Sequence, residues 1–566
     1  MKGNGKTMRE NRKLAIGIQD FRSLREQNAY YVDKTQMIEE FLESWYQVTL
    51  VTRPRRFGKT LNMSMLAEFL DCTKNSRSLF TDTKISDSYV MQELNSHPVI
   101  FLSFLNVKGD TAEELFYQLE LVIKEEFEKF LFLTQEESLP DIKKKAFHQI
   151  YECLCQTGDS IQKKNCLSHA ITELCQILEI FYGKKVYFLL DEYDTPFISA
   201  NSGGYYHKVR GLLANMLSSA LKGNPALEKA MLTGIQRAAK ENIFSGLNHL
   251  IVCTVKDPEY TDCFGFSETE TQNLLNYCNA EFSNEVKHMY DGYLFGNTEV
   301  YNPWSITCYA ARKKLEPYWV NTGENTMIKQ ALAQRKEFFF QKYDTLIKTG
   351  TVNVHAELST PYYENPSDSS LWGLFINAGM VTIQQELEDN FYKLRIPNYE
   401  VWKAYQELTA FYLQTDENHL SSMLRYLRTE AMEEFAAEYQ WIFLHLPSYH
   451  DLKDENSCHM MMLGMCAFMH PYYHIDSNRE QGTGRSDIRL AAKNPGFPHI
   501  ILEFKYAEHE KQSLEKLAQE AIAQIKGKKY DTGMQGTVYY VGLAHWGKKV
   551  IIKWEKIQKD HCRSSD

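Results

Sequence analysis

Val48-Thr-Leu-Val-Thr52 runs directly into Arg53-Pro-Arg-Arg-Phe-Gly-Lys-Thr60. A short apolar run that feeds Gly-Lys-Thr is a strand entering a phosphate-binding loop. Such a loop turns its backbone N–H groups toward the β- and γ-phosphates of a nucleotide. Lys59 then neutralises the added charge, and the Thr60 hydroxyl holds Mg²⁺. A helix expected over Leu61–Leu70 points its positive end at the same phosphates. On this reading Arg53, Pro54, Arg55, Arg56, Phe57, Gly58, Lys59 and Thr60 together line the nucleotide. The usual opening glycine is replaced by Arg53, so the tight turn has to be made elsewhere, with Pro54 as the candidate. Gly5-Lys6-Thr7 repeats the tripeptide with no strand before it and no apolar helix after it, and reads as part of a frayed N-terminus.

A second element supports the first. Val186-Tyr-Phe-Leu-Leu190 is continuously apolar, the pattern of a strand buried on both faces of a parallel sheet, and it ends in Asp191-Glu192. Nucleotide hydrolysis needs carboxylates at such a strand end: Asp191 to bind the metal, Glu192 to orient and polarise the attacking water. Ala230-Met-Leu-Thr-Gly234 reads as a further strand of the same sheet. It sets Thr233 beside the γ-phosphate, with Arg237 just beyond as an arginine able to reach developing charge. Pro98–Phe104 reads as another buried strand, residues 111–180 as helical, and Lys208–Leu221 as a helix. Strands alternating with helices predict a doubly wound parallel α/β sheet with ligand at the carboxyl ends of its strands.

The chain has 566 residues, 43% apolar and 24% charged, ordinary values for folded protein and too long for one domain. No 18-residue apolar stretch predicts a membrane span, and no apolar signal core follows the polar N-terminus. Twelve cysteines without paired metal-ligand spacing fit free thiols in a reducing cytosol. Net charge is −10, unevenly spread: from Asn478 onward there are 16 Lys+Arg against 11 Asp+Glu, or +5, leaving −15 for the rest. A basic tail permits a DNA or RNA partner; a solvated lysine face fits as well. The expected division is a disordered 1–13, a nucleotide domain over 14–245, a mostly helical, aromatic-rich region over 246–450, a further domain over 451–557 and a tail over 558–566. Within the middle region, Tyr290–Gly296 and Tyr301–Ser305 read as packing and turn elements.

The tail domain carries its own constellation. Asp454-Glu455 opens a helix with the apolar run His459–Met465, Ser486–Leu490 is a short strand, and Pro498–Lys505 is a second. Strand alternation sets Glu503 and Lys505 on one face, with Leu502 and Phe504 on the other. In a hairpin Asp487 lies opposite them. Two carboxylates and an ammonium then converge, a set suited to metal-assisted phosphodiester hydrolysis: Asp487 and Glu503 as hard oxygen ligands for Mg²⁺, Lys505 to orient water or neutralise charge. Glu455 could add an outer carboxylate, and Gln524, on a helix over Leu514–Lys526, could close the site. Glu-x-Lys alone is an ordinary cross-strand charge pattern. The apolar flanks and the preceding Gly482-Thr-Gly-Arg-Ser loop set this copy apart.

Taken together, the chain resembles a family of bacterial proteins that join an AAA-ATPase-like domain to a PD-(D/E)XK nuclease-superfamily domain, from about Ile16 to about Trp554. The resemblance is carried by Tyr31-Val-Asp-Lys-Thr35, the octapeptide at 53–60, Leu190-Asp-Glu-Tyr-Asp-Thr-Pro196, Thr233-Gly-Ile-Gln-Arg237 with Ile243-Phe-Ser-Gly-Leu247, and Tyr290-Asp-Gly-Tyr293. In the tail it is carried by Ser477-Asn-Arg-Glu480, Gly484-Arg-Ser-Asp487 and Glu503-Phe-Lys505. It implies a P-loop NTPase sheet of the ASCE/AAA type, a helical middle and a restriction-endonuclease-like αβ domain, with ATP and Mg²⁺ as cofactors. The nuclease positions Glu455, Asp487, Glu503, Lys505 and Gln524 all match, and an opening Arg in the phosphate loop is how that family looks. The expected protein is cytoplasmic. It is an ATP-dependent switch or motor that controls a nucleic-acid-cleaving or nucleic-acid-binding tail, and a neighbour's arginine could complete its site in a homo-oligomer. Two other readings are a signalling scaffold whose tail binds nucleic acid or protein without cutting, and an ATPase with a structural tail.

Overall fold

The computed structural model describes residues 13–156, 161–237, 250–319, 326–333, 337–412, 417–445, 455–469, 471–481 and 484–559. The Gly5-Lys6-Thr7 copy and Ile243–Leu247 fall outside them. The chain forms two compact units, one of residues 1–328 and 354–401, the other of 329–353 and 402–566.

The first unit is built on a parallel five-stranded sheet of β1 (Val48–Thr52), β2 (Val99–Ser103), β3 (Val186–Asp191), β4 (Leu227–Gly234) and β5 (Leu250–Cys253), in the order β2-β3-β4-β1-β5. β1 and β3 are buried along their whole length, as their unbroken apolar runs predict. On one face Val48, Leu50, Ile100, Leu102, Phe188 and Leu190 join a core with the helices Ala112–Glu128, Ile161–Tyr182 and Tyr206–Leu221. The helix Lys59–Leu70, which starts two residues earlier than expected, packs against β2 and β3. Because every strand of the sheet runs the same way, the phosphate loop, Asp191 and Thr233 all emerge at one edge. Register tightens this: Val51 pairs with Thr233, Thr52 with Gly234, and Leu190 with Leu232.

The middle of the chain is mostly helical, as read, but also carries short strands. β5 pairs with β1, so the sheet runs on past the boundary expected near 245. Helices are interspersed there with short strands: β6 (Tyr293–Phe295) and β7 (Thr298–Val300) form a hairpin, β8 is Thr351–His355, and β9 (Thr382–Glu388) pairs antiparallel with β10 (Phe391–Arg395). Three-residue strands are too short to set a period against the surrounding aromatics, so β6 and β7 leave no mark in the sequence. The aromatics pack as expected. Tyr293 meets Phe57 edge-on at 4.9 Å, and Tyr290 and Tyr309 rings lie 5.9 Å apart.

The second unit holds a sheet of β11 (Tyr473–Gln481), β12 (Gly484–Ala492), β13 (His499–Tyr506), β14 (Gly536–Trp546) and β15 (Lys549–Lys559), in sequential order. β13 and β14 are parallel and the other pairs antiparallel. A parallel pair needs a crossover, and the helix Leu514–Lys528 supplies it, capped by the Ser513 side chain. Its buried Ala518, Ala521 and Ile525 line the side that meets the sheet. Among the described residues no helix is long and apolar enough to cross a membrane, and all the cysteines are free.

His545 on β14 is fully buried, its Nε2 3.0 Å from the Tyr439 hydroxyl and its ring 5.0 Å from that of Phe443. Burial pushes its pKa down to about 3. The unfolded chain takes up this proton near pH ~6.5, so the folded unit binds fewer protons below that. The stability contribution is complete above pH ~6.5 and is lost as pH falls toward the folded value. Urea unfolding of the wild type should therefore show stability dropping between pH 6.5 and 4.5, by up to about 1.4 kcal/mol per pH unit. His545→Phe should be less stable at pH 8 by about 1–3 kcal/mol, because it orphans the Tyr439 hydroxyl, yet show a flatter acid slope. An unchanged slope in the variant would refute the assignment.

Candidate functional site

At the carboxyl edge of the first sheet, Asp191 joins three strands. Its Oδ2 accepts a hydrogen bond from the Thr60 hydroxyl at 2.7 Å, and its Oδ1 accepts from the Thr233 hydroxyl at 2.5 Å. β4 lies between β1 and β3, so one carboxylate can touch β4 with one oxygen and the loop after β1 with the other. Burial is the largest influence on Asp191 and raises its pKa, as does Glu192; the two hydroxyls and Lys59 oppose the rise. Lys59 is 4% exposed. Its Nζ donates to the carbonyls of Arg53 and Pro54, each at 3.2 Å, and lies 3.6 Å from Glu192 Oε1. The structure thus brings together Lys59, Thr60, Asp191, Glu192 and Thr233.

The loop makes its turn differently from the expectation. Positive φ falls at Arg56 (68°) and Gly58 (87°), and the turn residues Arg55 and Arg56 follow Pro54 directly. Gly58 caps the helix Lys59–Leu70 in the left-handed region, where a side chain would be strained. Arg56 accepts that strain with its guanidinium over the Trp304 ring, 4.5 Å from the centroid. Phe57 is buried against Phe295 and Tyr293, Pro54 is buried, and Arg55 is exposed. These side chains hold the loop's shape, which leaves the loop's backbone for a ligand.

Arg53 is fully buried. Its guanidinium donates to the carbonyls of Thr52 and Cys253 at 2.9 Å, Glu259 at 3.0 Å and Tyr260 at 3.3 Å, and lies 5.2 Å from the Phe295 centroid. Burial lowers its pKa to about 10. The charge expected to line the nucleotide is spent instead on stapling the end of β1 to the segment after β5; only its carbonyl reaches Lys59. Arg237 sits three residues past the end of β4, half-buried, at the last described position before residue 250.

Glu192 is a non-glycine residue at φ 53°, a conformation that persists only when neighbours hold it. Both neighbours are fixed: the Asp191 carbonyl accepts from Phe104 N at 2.9 Å, and Tyr193 N donates to the Thr233 carbonyl at 2.9 Å. Asp194, which sequence reasoning passed over, is fully buried with Oδ2 accepting from Ile235 N at 3.0 Å and Gln236 N at 2.8 Å. Burial, then the charge of Glu192, raises its pKa to about 6. Lys59 is the ammonium beside these carboxylates, 3.6 Å from Glu192 Oε1. The Asp191 oxygens beside the Thr60 hydroxyl suit a divalent cation, and Lys59 suits a phosphate. By contrast Lys34, a carrier of the resemblance, bonds the Asp262 carbonyl and Glu270 Oε2, both at 2.6 Å. It ties the N-terminal segment to the residues around 262–270.

In the second unit Ile488 pairs with Leu502, which sets Asp487 beside Glu503 as expected. Asp487 N donates to Glu503 Oε2 at 3.4 Å, and Phe504 N donates to Asp487 Oδ2 at 2.8 Å. Glu503 is 1% exposed, its Oε1 3.7 Å from Lys505 Nζ and hydrogen-bonded by the Gln524 amide. Tyr530 was missed: its hydroxyl accepts from Gln524 at 3.4 Å, and burial raises its pKa. No period in the sequence marks it; it follows the left-handed Lys529 that ends the helix Leu514–Lys528. The helix Glu455–Cys466 packs against β12 and β13, but the Glu455 side chain falls outside the described residues, as do those of Ser477–Glu480 and Arg485. Of the tail's lysines, Lys526 and Lys556 are paired with Glu555 and Glu430, each at 2.6 Å, and Lys559 with Asp531, so part of the basic surplus is neutralised locally.

Replacing Arg53 with Met keeps the volume and orphans several buried carbonyls. Urea unfolding of the full chain should show a loss of at least about 2 kcal/mol; unchanged stability would contradict the stapling role.

Comparison with known proteins gives two domain matches. Residues 15–244 match a family model described as predicted AAA-ATPase, and residues 453–555 match one described as PD-(D/E)XK nuclease superfamily. A protein of Azotobacter chroococcum mcd 1, described as an uncharacterized protein in the vnfD 5′ region, is 28% identical over 403 residues, or 70% of this chain and 69% of that one. The chain therefore carries an AAA-ATPase-like domain followed by a PD-(D/E)XK nuclease-superfamily domain.

Proposed function

We propose that the protein binds and hydrolyses ATP with Mg²⁺, and that its nucleotide state governs a tail that cuts DNA or RNA. The observation that carries the first half is the Asp191 carboxylate, engaged by Thr60 and Thr233 while Lys59 stands 3.6 Å from Glu192. In this reading the backbone of 53–60 cradles the phosphates, and Lys59 leaves its loop carbonyls to neutralise the β- and γ-oxygens. Thr60 and Asp191 hold Mg²⁺, which when bound offsets phosphate charge. Glu192 orients the attacking water and accepts its proton. Thr233 contacts the γ-phosphate, and Arg237, from this chain or a neighbour's in an oligomer, meets the developing charge.

For the tail, the adjacency of Asp487, Glu503 and Lys505 supports phosphodiester hydrolysis. The two carboxylates hold Mg²⁺, which when bound activates water and stabilises the phosphorane charge. Lys505 orients the water, and Gln524 fixes the Glu503 carboxylate. Glu455 adds an outer carboxylate. Cytoplasmic residence fits the free thiols.

The assignments separate by mutation. Lys59→Ala should weaken ATP binding at least tenfold, about 1.4 kcal/mol, in calorimetric titration. Glu192→Gln should bind ATP normally and lose about 100-fold or more in turnover. Unchanged turnover in both refutes the ATPase reading. With Mg²⁺ or Mn²⁺ and labelled DNA and RNA, with and without ATP, the wild type should cut and Asp487→Ala should not. Absence of cutting by the wild type under every condition favours a tail that binds without cleavage.

A further inference from the structure

The acidic turn after β3 and the stretch leaving β4 are closed on each other by a set of hydrogen bonds that the proposed chemistry leaves without a role. Tyr193 N donates to the Thr233 carbonyl at 2.9 Å, the Tyr193 hydroxyl to the Gln236 carbonyl at 2.6 Å, and Ile235 N and Gln236 N both donate to Asp194 Oδ2 at 3.0 and 2.8 Å. One carboxylate oxygen thus fixes two consecutive amides in the residues between Thr233 and Arg237. The fit is close. A Cβ on Gly234 would fall 2.6 Å from Asp194 Oδ1 and 2.7 Å from the Tyr193 ring, so Gly234 is the residue that lets the two segments meet. Gln236 is in turn 2% exposed, and its side-chain oxygen accepts from Tyr362 N at 3.3 Å.

Parallel strands alone do not fix the residues beyond their ends. Glu192 and Arg237 lie outside the sheet, so backbone pairing of β3 with β4 cannot set their separation. The Tyr193 and Asp194 bonds do so, because Tyr193 and Asp194 directly follow Glu192, and Ile235 and Gln236 directly precede Arg237. Glu192 also needs an anchored successor to keep its left-handed backbone at φ 53°.

From this we infer that Asp194 is a positioning residue for ATP hydrolysis: its carboxylate clamps the exit of β4 so that Thr233 and Arg237 stay in register with Glu192. It touches neither nucleotide nor water. The clamped segment meets the 53–60 backbone through the bond from Arg53 N to the Gly234 carbonyl at 3.2 Å. The Asp194 carboxylate makes none of its own bonds to the loop, so its loss is expected to bear on turnover rather than on nucleotide affinity. The inference rests on the ATPase reading.

The test compares Asp194→Ala with Asp194→Asn in the full chain, by steady-state ATP hydrolysis and by calorimetric ATP binding. Asn keeps an oxygen able to accept both amides; Ala keeps none. Asp194→Ala should lower kcat about 10–100-fold with the ATP Kd within about threefold, while Asp194→Asn recovers most of kcat. Should the alanine variant not fold, Tyr193→Phe removes the bond to the Gln236 carbonyl from the same clamp and should lower kcat in the same direction with Kd unchanged. Undiminished kcat in the alanine variant, or in Tyr193→Phe if that one is used, overturns the inference, as does an asparagine variant no better than alanine. A wild type that binds ATP without turning it over sinks the ATPase reading and this inference together; an active wild type with an unimpaired Asp194→Ala sinks the clamp alone.

Discussion

One carboxylate organises the nucleotide half of this protein. Asp191 reaches Thr60 and Thr233 with its two oxygens, and so ties the loop after β1, the end of β3 and the end of β4 into one edge. Adjacent strands in a sheet lie about 4.8 Å apart, so the tie works only because β4 is inserted between β1 and β3. Had β3 paired directly with β1, Thr233 would lie elsewhere and the edge would lose its polar lining. Strand order, set by apolar burial, thus decides which polar groups can meet.

Around that centre the charged residues divide by burial. Arg53 and Lys59 belong to one octapeptide, yet their roles differ. Arg53 is enclosed by carbonyls and aromatic rings, and its planar fork suits many fixed acceptors at once. Lys59 has a flexible stem and two weak carbonyl contacts at 3.2 Å, an arrangement it can leave when a phosphate offers more. The same logic holds in the tail unit, where Gln524 and a backbone amide fasten Glu503 and leave Lys505 beside it.

Features that depend on period and on strong local chemistry were legible in the sequence. Unbroken apolar runs located β1 and β3, and the residues at their ends placed Lys59, Thr60, Asp191 and Glu192. Period-two alternation set Glu503 and Lys505 on one face, and a hairpin set Asp487 opposite them. Features that depend on contacts between distant segments or on single backbone angles were not. The left-handed Arg56, the stapling of Arg53 by residues some 200 positions away, and the Asp194 clamp have no local signature. β5 and the β6–β7 hairpin were lost for a related reason: a strand of three or four residues shows too few alternations to be told from a loop.

The central claim is that two remote stretches, 53–60 and 191–192, grip one triphosphate, and a crystal structure with Mg²⁺, ADP and beryllium fluoride tests it most directly. The account predicts the fluoride mimic on the 53–60 backbone, with Lys59 Nζ moved from the Arg53 and Pro54 carbonyls onto it. The metal should sit between Thr60 and Asp191, and Glu192 should face the in-line water. Nucleotide bound at any other place, with Lys59 still on its own loop and the Asp191–Thr60 bond undisturbed, would contradict it.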